Sequence, residues 1–245
     1  MTAQFAIPAT TFVLQAVIQK RIAAAYGNFP GPTVSTEPPP RPAASSAAPQ
    51  PGQQAAPAEP SGLHLFLHHA GPNPAWRNMH EPHVSALSGL RTARAPVVLD
   101  LHYMLAATGA RLEREALLGL GISALTRNAI LPRAMVKSIL GAIAIPNPPQ
   151  GFMDLMTAEP LDDKTHQPEQ ITISQAPVDL DMSTKLWSAL QSPLRPSAYF
   201  LVTTVFLDVE ETFPPVLPVK KVGVAAYSTA DRDTVLPPKT GGGGP

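Results

Sequence analysis

Histidines are the residues that could most readily do chemistry here. His64, His68, His69, His80, His83 and His102 fall in two short stretches and one strand. His64 and His68 share a strand face by alternation, and His80 and His83 have a spacing that metal ligands use. A zinc site also needs a further identifiable ligand and its supporting partners, and no helical H-E-x-x-H pattern is present. Histidines on the polar face of a strand explain the pattern without a metal. Asp100 and His102 lie two apart on one strand and could join a Ser or Thr as a triad, but no G-x-S-x-G turn supplies the nucleophile. A charge on the less buried side of a strand is the simpler account. Glu113 and Glu115 precede an apolar run and suit the start of a helix, where negative charge complements the dipole. Glycines never gather into a phosphate-binding loop, and L-L-G-L-G lies inside a helical pattern. These residues imply no catalytic activity, no cofactor and no metal.

The totals narrow the classes further. The 245 residues carry 18 basic and 18 acidic side chains, so no global charge favours nucleic acid or an anionic membrane. Cysteine is absent, which removes disulfides, thiolate catalysis and cysteine-held zinc together. The 44% hydrophobic content supports a packed core, whereas 30 prolines and 15% charged residues imply long stretches outside helix and sheet. No apolar run approaches the roughly 20 residues of a membrane helix, so direct membrane insertion is not expected. Lys20 and Arg21 follow the N-terminal apolar stretch rather than precede it, and a secretory signal peptide is not expected either.

The elements that must position any site centre on residues 96–121. Val97, Leu99, Leu101 and Tyr103 alternate with Val98, Asp100, His102 and Met104, which predicts a strand over 97–104 with one wholly apolar face. Thr108-Gly109 breaks the run, and Leu112, Ala116, Leu117 and Leu120 then repeat at helical spacing, predicting a helix over 112–126. Residues 9–26 read as a helix capped by Thr10 or Thr11, with Phe12, Val13, Val17 and Ala24 on one face. Leu63, Leu65 and Leu67 alternate with His64, Phe66 and His68, a strand over 63–68 that ends in a bend at Asn73-Pro74. Residues 79–95 read as a loop, 133–143 as a helix, and 146–168 as loop again.

A strand over 170–175, a helix over 182–191 capped by Asp181 or Ser183, and a strand over 197–209 complete the set. That helix turns Met182, Leu186, Trp187 and Leu190 inward. The two strands around it are either joined by a parallel crossover or separated in the sheet. A further short strand is expected over 219–227. The fold class is therefore α+β, a mixed or antiparallel sheet of about four strands flanked by helices. By domain, 1–27 supplies the N-terminal helix and 28–60 a disordered Pro/Ala-rich insertion, too poor in large apolar side chains to offset its ordering entropy. Residues 61–213 form the α+β core, and 214–245 a mobile Pro/Gly-rich arm.

Five segments, taken together, resemble one family. They are L-H-L-F-L-H-H-A-G-P-N-P-A-W-R-N (63–78), A-P-V-V-L-D-L-H-Y-M-L-A-A-T-G (95–109), E-A-L-L-G-L-G-I-S-A-L (115–125), L-D-M-S-T-K-L-W-S-A-L-Q-S-P-L-R-P-S-A-Y-F-L-V-T-T-V (180–205) and P-P-V-L (214–217). The chain is similar over about residues 7–217 to the N-terminal domain of the tail-terminator, or cap, proteins of extracellular contractile injection systems. Those systems are the Photorhabdus virulence cassette and antifeeding prophage types. The resemblance implies a phage tail-terminator-like fold and a structural role. A six-fold ring of such subunits would sit on the last inner-tube ring, contact the last sheath ring, and end polymerisation distal to the baseplate. Its partners would be copies of itself, the inner-tube protein and the sheath protein, with assembly in the bacterial cytoplasm into a phage tail-like particle. The insertion at 28–60 and the histidines at 64–69 and 80–83 depart from the family pattern.

Closed rings need one subunit face to meet a different face of its neighbour. The N-P-A-W-R-N stretch (73–78) offers Trp76, Arg77 and Asn78 for such a contact, because aromatic and arginine side chains dominate interface energies. Trp76 filling the core, with Arg77 capping a loop, is an equal alternative. Pro214 and Pro215 start the arm that could reach a neighbour. Two other function classes remain open on sequence: an adaptor that recruits a partner through the proline-rich segment, and a metal-dependent hydrolase using the histidines.

Overall fold

A five-stranded mixed sheet in the order β1-β2-β3-β5-β4 organises the chain. The computed structural model describes residues 3–41, 59–76, 95–143 and 151–208. The strands are β1 (Val34–Ser35), β2 (Gly62–Pro72), β3 (Val97–Thr108), β4 (Thr172–Gln175) and β5 (Ser197–Leu207). Only the β1–β2 pair is parallel; the other three pairs are antiparallel. Among the described residues five helices accompany them: α1 (Ala6–Tyr26), α2 (Glu113–Arg127), α3 (Arg133–Gly141), α4 (Phe152–Met156) and α5 (Leu180–Leu190).

The central strand follows from its alternation. Leu101, Tyr103, Leu105 and Ala107 of β3 point to one face, where they join Leu63 and Leu65 of β2 and Phe200 and Val202 of β5 beneath α1, α2 and α3. The other face is not left to water. Met104 and Ala106 are buried there with Tyr199 beneath Trp187 of α5, so β3 is covered on both sides from Tyr103 onward. The sheet is therefore a middle layer.

Helix α1 buries Ala6, Ala9, Val13, Leu14, Val17, Ile18 and Ile22, a stripe at three- and four-residue spacing. It begins earlier than the sequence suggests. Neither Thr10 nor Thr11 is its cap; both lie inside the helix and donate back to Ala6 O (2.7 Å) and Ile7 O (3.1 Å). The first turn contains Pro8, which has no N–H to satisfy, and Phe5 N donates to Glu159 Oε2 at 3.0 Å. Ala24 is exposed rather than part of the buried stripe. In α2, Glu113 and Glu115 occupy the first turn as expected.

Several expectations need correction. The stretch 28–60 is not without structure throughout: Val34 and Ser35 pair with Leu63 and His64. Two glutamines of α1 hold this strand, Gln19 Oε1 accepting from Val34 N (2.8 Å) and Gln15 Nε2 donating to Val34 O (2.6 Å). Such long-range side-chain bonds leave no local pattern. The loop expected over 146–168 contains α4, whose start is fixed by Gly151 N donating to Asp154 Oδ2 at 3.0 Å. Strands β4 and β5 are antiparallel neighbours, neither a parallel crossover nor separated. Helix α5 starts before Asp181, because Asp179 Oδ1 accepts from Met182 N at 2.7 Å. Met182 consequently faces out, 51% exposed. The loop at 79–95 and the strand at 219–227 lie outside the described residues, except that Ala95 is described.

Candidate docking surface

The strand register brings one end of the sheet together from three directions. Pro72 at the end of β2 pairs with Leu99, and Val97 at the start of β3 pairs with Leu207 at the end of β5. Asn73 makes the turn that leaves this end. Its backbone N–H donates to Val98 O (2.8 Å), and its Oδ1 accepts from the backbone N–H groups of Ala75 (3.0 Å) and Trp76 (3.1 Å). That is an Asx turn, the local device by which asparagine side chains replace a backbone bond. Its Nδ2 donates to Asp100 Oδ1 at 2.7 Å.

The turn aims Trp76 at the sheet. Its ring stands edge-on to that of Phe206, with centroids 5.5 Å apart and planes at 72°, a favoured aromatic geometry. Phe206 is fully buried, whereas Trp76 is half-buried. Gln167 holds this part of β5 from the loop side: Oε1 accepts from Phe206 N at 3.1 Å and Nε2 donates to Thr204 O. Neither Asn73 nor Gln167 stands out in the sequence beyond the Asn-Pro bend, because their partners lie 27 and 39 residues away. Arg77, Asn78, Pro214 and Pro215 lie outside the described residues, as do His80 and His83.

His64, His68, His69 and His102 sit on the α5 side of β2 and β3. His69 and His102 have ring centroids 5.2 Å apart, and His68 lies 6.1 Å from His102 and 6.0 Å from Tyr199. Burial pushes the imidazoles of His68 and His102 below the ordinary value, and neighbouring histidines push the same way. His64 is also pushed down by burial, partly countered by a bond to the Glu37 backbone. Among the described residues, no group of three or more His, Asp or Glu side chains converges as a metal would require.

At the opposite end of the sheet, Arg195 gathers the chain on either side of residues 42–58. Its guanidinium donates to both carboxylate oxygens of Glu59 and to Pro40 O (3.0 Å), while Ser192 Oγ donates to Pro40 O at 3.0 Å. Arg41 Nε reaches Leu190 O at 3.3 Å. The arrangement is a clamp that holds two stretches of chain against the start of β5. Apolar side chains are exposed on two helices: Phe152, Met153 and Leu155 on α4, and Leu180 and Met182 on α5. Among the described residues no helix is long and apolar enough to cross a membrane.

A family model described as the Pvc16 N-terminal domain matches residues 9–221. Among solved structures, the sheath/tube terminator of the extracellular contractile injection system PVC, in its extended state, is similar with a TM-score of 0.50 at 15% identity. The match covers 91% of this chain and 64% of that one, so this chain spans slightly under two thirds of the terminator's length. The tube-terminating cap of the anti-feeding prophage matches with a TM-score of 0.42 at 14% identity, over 86% of this chain and 59% of that one. None of the curated proteins is detectably similar in sequence. The likeness to the PVC terminator is one of fold.

Proposed function

The chain belongs to the Pvc16 N-terminal domain family, and on that premise we propose that it is the cap of a contractile injection system. In this reading, copies of the chain form a closed six-fold ring on the last ring of the inner tube. The ring also meets the last sheath ring and stops both polymers at the end away from the baseplate. It works by shape and binding alone, with no reaction, no cofactor and no nucleic acid. Assembly takes place in the bacterial cytoplasm.

The observation that carries the reading is the family match, which runs from α1 through β5 and so spans the whole sheet with its covering helices. Physical features support it. Exposed apolar groups lie on helices α4 and α5, as a protein with several neighbours requires. Trp76, at the end of the sheet where β2 leaves it, and Arg77 and Asn78, which follow it in sequence, are the proposed contact with the tube, and the segment beginning at Pro214 and Pro215 is the proposed contact with a neighbour or the sheath. The test is to add the purified chain, gold-labelled, to preassembled tubes and locate it by electron microscopy. The label is expected at one end of each tube. Label along the tube walls, or none, would overturn the proposal.

A further inference from the structure

Between α1, α2 and α3 the fold leaves a groove of about 720 Å³, within the roughly 300–1,000 Å³ range of natural binding sites. The small side chains Ala16, Ala24 and Ala124 line it together with Lys20, Arg21 and Arg127. Among the described residues no carboxylate lines it. Among the described residues none of these three cations takes part in an ion pair. Arg21 Nε is buried without a hydrogen-bond acceptor. A concave surface with three like charges, one partly stripped of water, is unfavourable when empty and favours a partner that brings carboxylates together with apolar bulk.

This same chain carries such a surface on the other side of the sheet. Helix α5 opens with Asp179, Leu180, Asp181 and Met182; Leu180 is 75% exposed and Met182 51%. Asp181 bonds Lys185 at 2.6 Å with both side chains largely in solvent, a pairing readily exchanged for a better one. The apolar face of α4 matches the groove less well, because its one carboxylate, Asp154, is already held by Gly151 N.

We propose that the opening turn of α5 in one subunit docks into the α1–α2–α3 groove of the next. Leu180 and Met182 cover the alanines of the groove, and Asp181 faces Lys20, Arg21 and Arg127. The groove and the knob stand on opposite faces of the sheet, so the contact is head to tail. Repeated by a closing rotation, it generates a ring rather than an isologous pair. The inference rests on the reading of the chain as a ring-forming cap and specifies the contact that makes the ring.

Charge reversal in the full chain tests it. One variant carries Lys20→Glu with Arg127→Glu and the other Asp181→Lys, all three positions exposed; circular dichroism verifies the fold of each. By sedimentation velocity the unaltered chain is expected as rings, and each variant alone as monomer, its assembly weakened by at least about tenfold. An equimolar mixture of the two variants is expected to regain rings of alternating subunits, since every groove then meets a knob of opposite charge. Variants that still assemble alone would overturn the contact while leaving the ring intact. Variants that dissociate but stay apart when mixed would assign the groove to a different acidic partner. An unaltered chain that is monomeric at every concentration would instead remove the ring reading itself.

Discussion

Asn73 and Asp100, 27 residues apart, are joined by a 2.7 Å hydrogen bond from Nδ2 to Oδ1. The bond ties the turn after β2 to an irregular point of β3, where the register with β5 shifts between Leu99 and Leu101. Through the same asparagine it fixes the backbone of Trp76, and so the edge-on contact with Phe206. A bond to a carboxylate at a buried asparagine contributes about 1.5–3 kcal/mol. Asn73→Ala is therefore expected to destabilise the fold by about 2 kcal/mol and to diminish the near-ultraviolet aromatic dichroism, with Asp100→Asn milder. Unchanged urea melting and unchanged dichroism in Asn73→Ala would contradict this role.

Much of this architecture is legible in the sequence, and the reasons differ by element. β2, β3, α2 and β5 announce themselves because each is long enough, and rich enough in apolar residues at strand or helix spacing, to show a period in sequence, although β3 and β5 are buried on both faces over part of their length. β1 escapes notice because two residues carry no period; Gln15 and Gln19 hold it from another element. α4, with five residues, is likewise too short to show one. The α5 boundary slips because Asp179 and Asp181 are both able caps, and only the bond to Met182 N chooses between them. At the docking surface, Trp76 is conspicuous by type. Asn73 and Gln167 are conspicuous only once their distant partners are known.

Arg195 should prove a stability determinant rather than a surface charge. Its side chain is 8% exposed and that of Glu59 34%. Removing one member of a buried pair costs about 3–5 kcal/mol, and the partial exposure of Glu59 lowers this to about 2–3 kcal/mol. Arg195→Ala is expected to lower Tm by roughly 4–10 °C. Arg195→Lys falls between, because an ammonium does not span Glu59 and Pro40 O together. A Tm for Arg195→Ala equal to that of the unaltered chain would contradict the clamp.

Acid should loosen the fold through its histidines. His64, His68 and His102 are all pushed below the ordinary value of 6.5, chiefly by burial. A group whose folded value is depressed binds more protons when unfolded, so its stabilisation is full above 6.5 and is lost as pH falls through the folded value. The groups facing them are His69, Asp100 and Tyr199 around His68 and His102, and Arg195, Glu59 and the Glu37 backbone around His64. Tm measured from pH 8 downward should hold until about pH 6.5 and then decline. His68→Gln with His102→Gln should flatten that decline, and an equally steep fall in the double variant would contradict the assignment.

The central claim concerns length control, and particle length measures it directly. Contractile particles assembled with and without this chain, imaged by electron microscopy, give two distributions of tube length. With the chain present the account predicts a single narrow length, and without it a broad distribution of overlong or frayed tubes. Restoring the full chain should recover the narrow one. Tubes of the same narrow length in its absence would contradict the claim that this chain ends their growth.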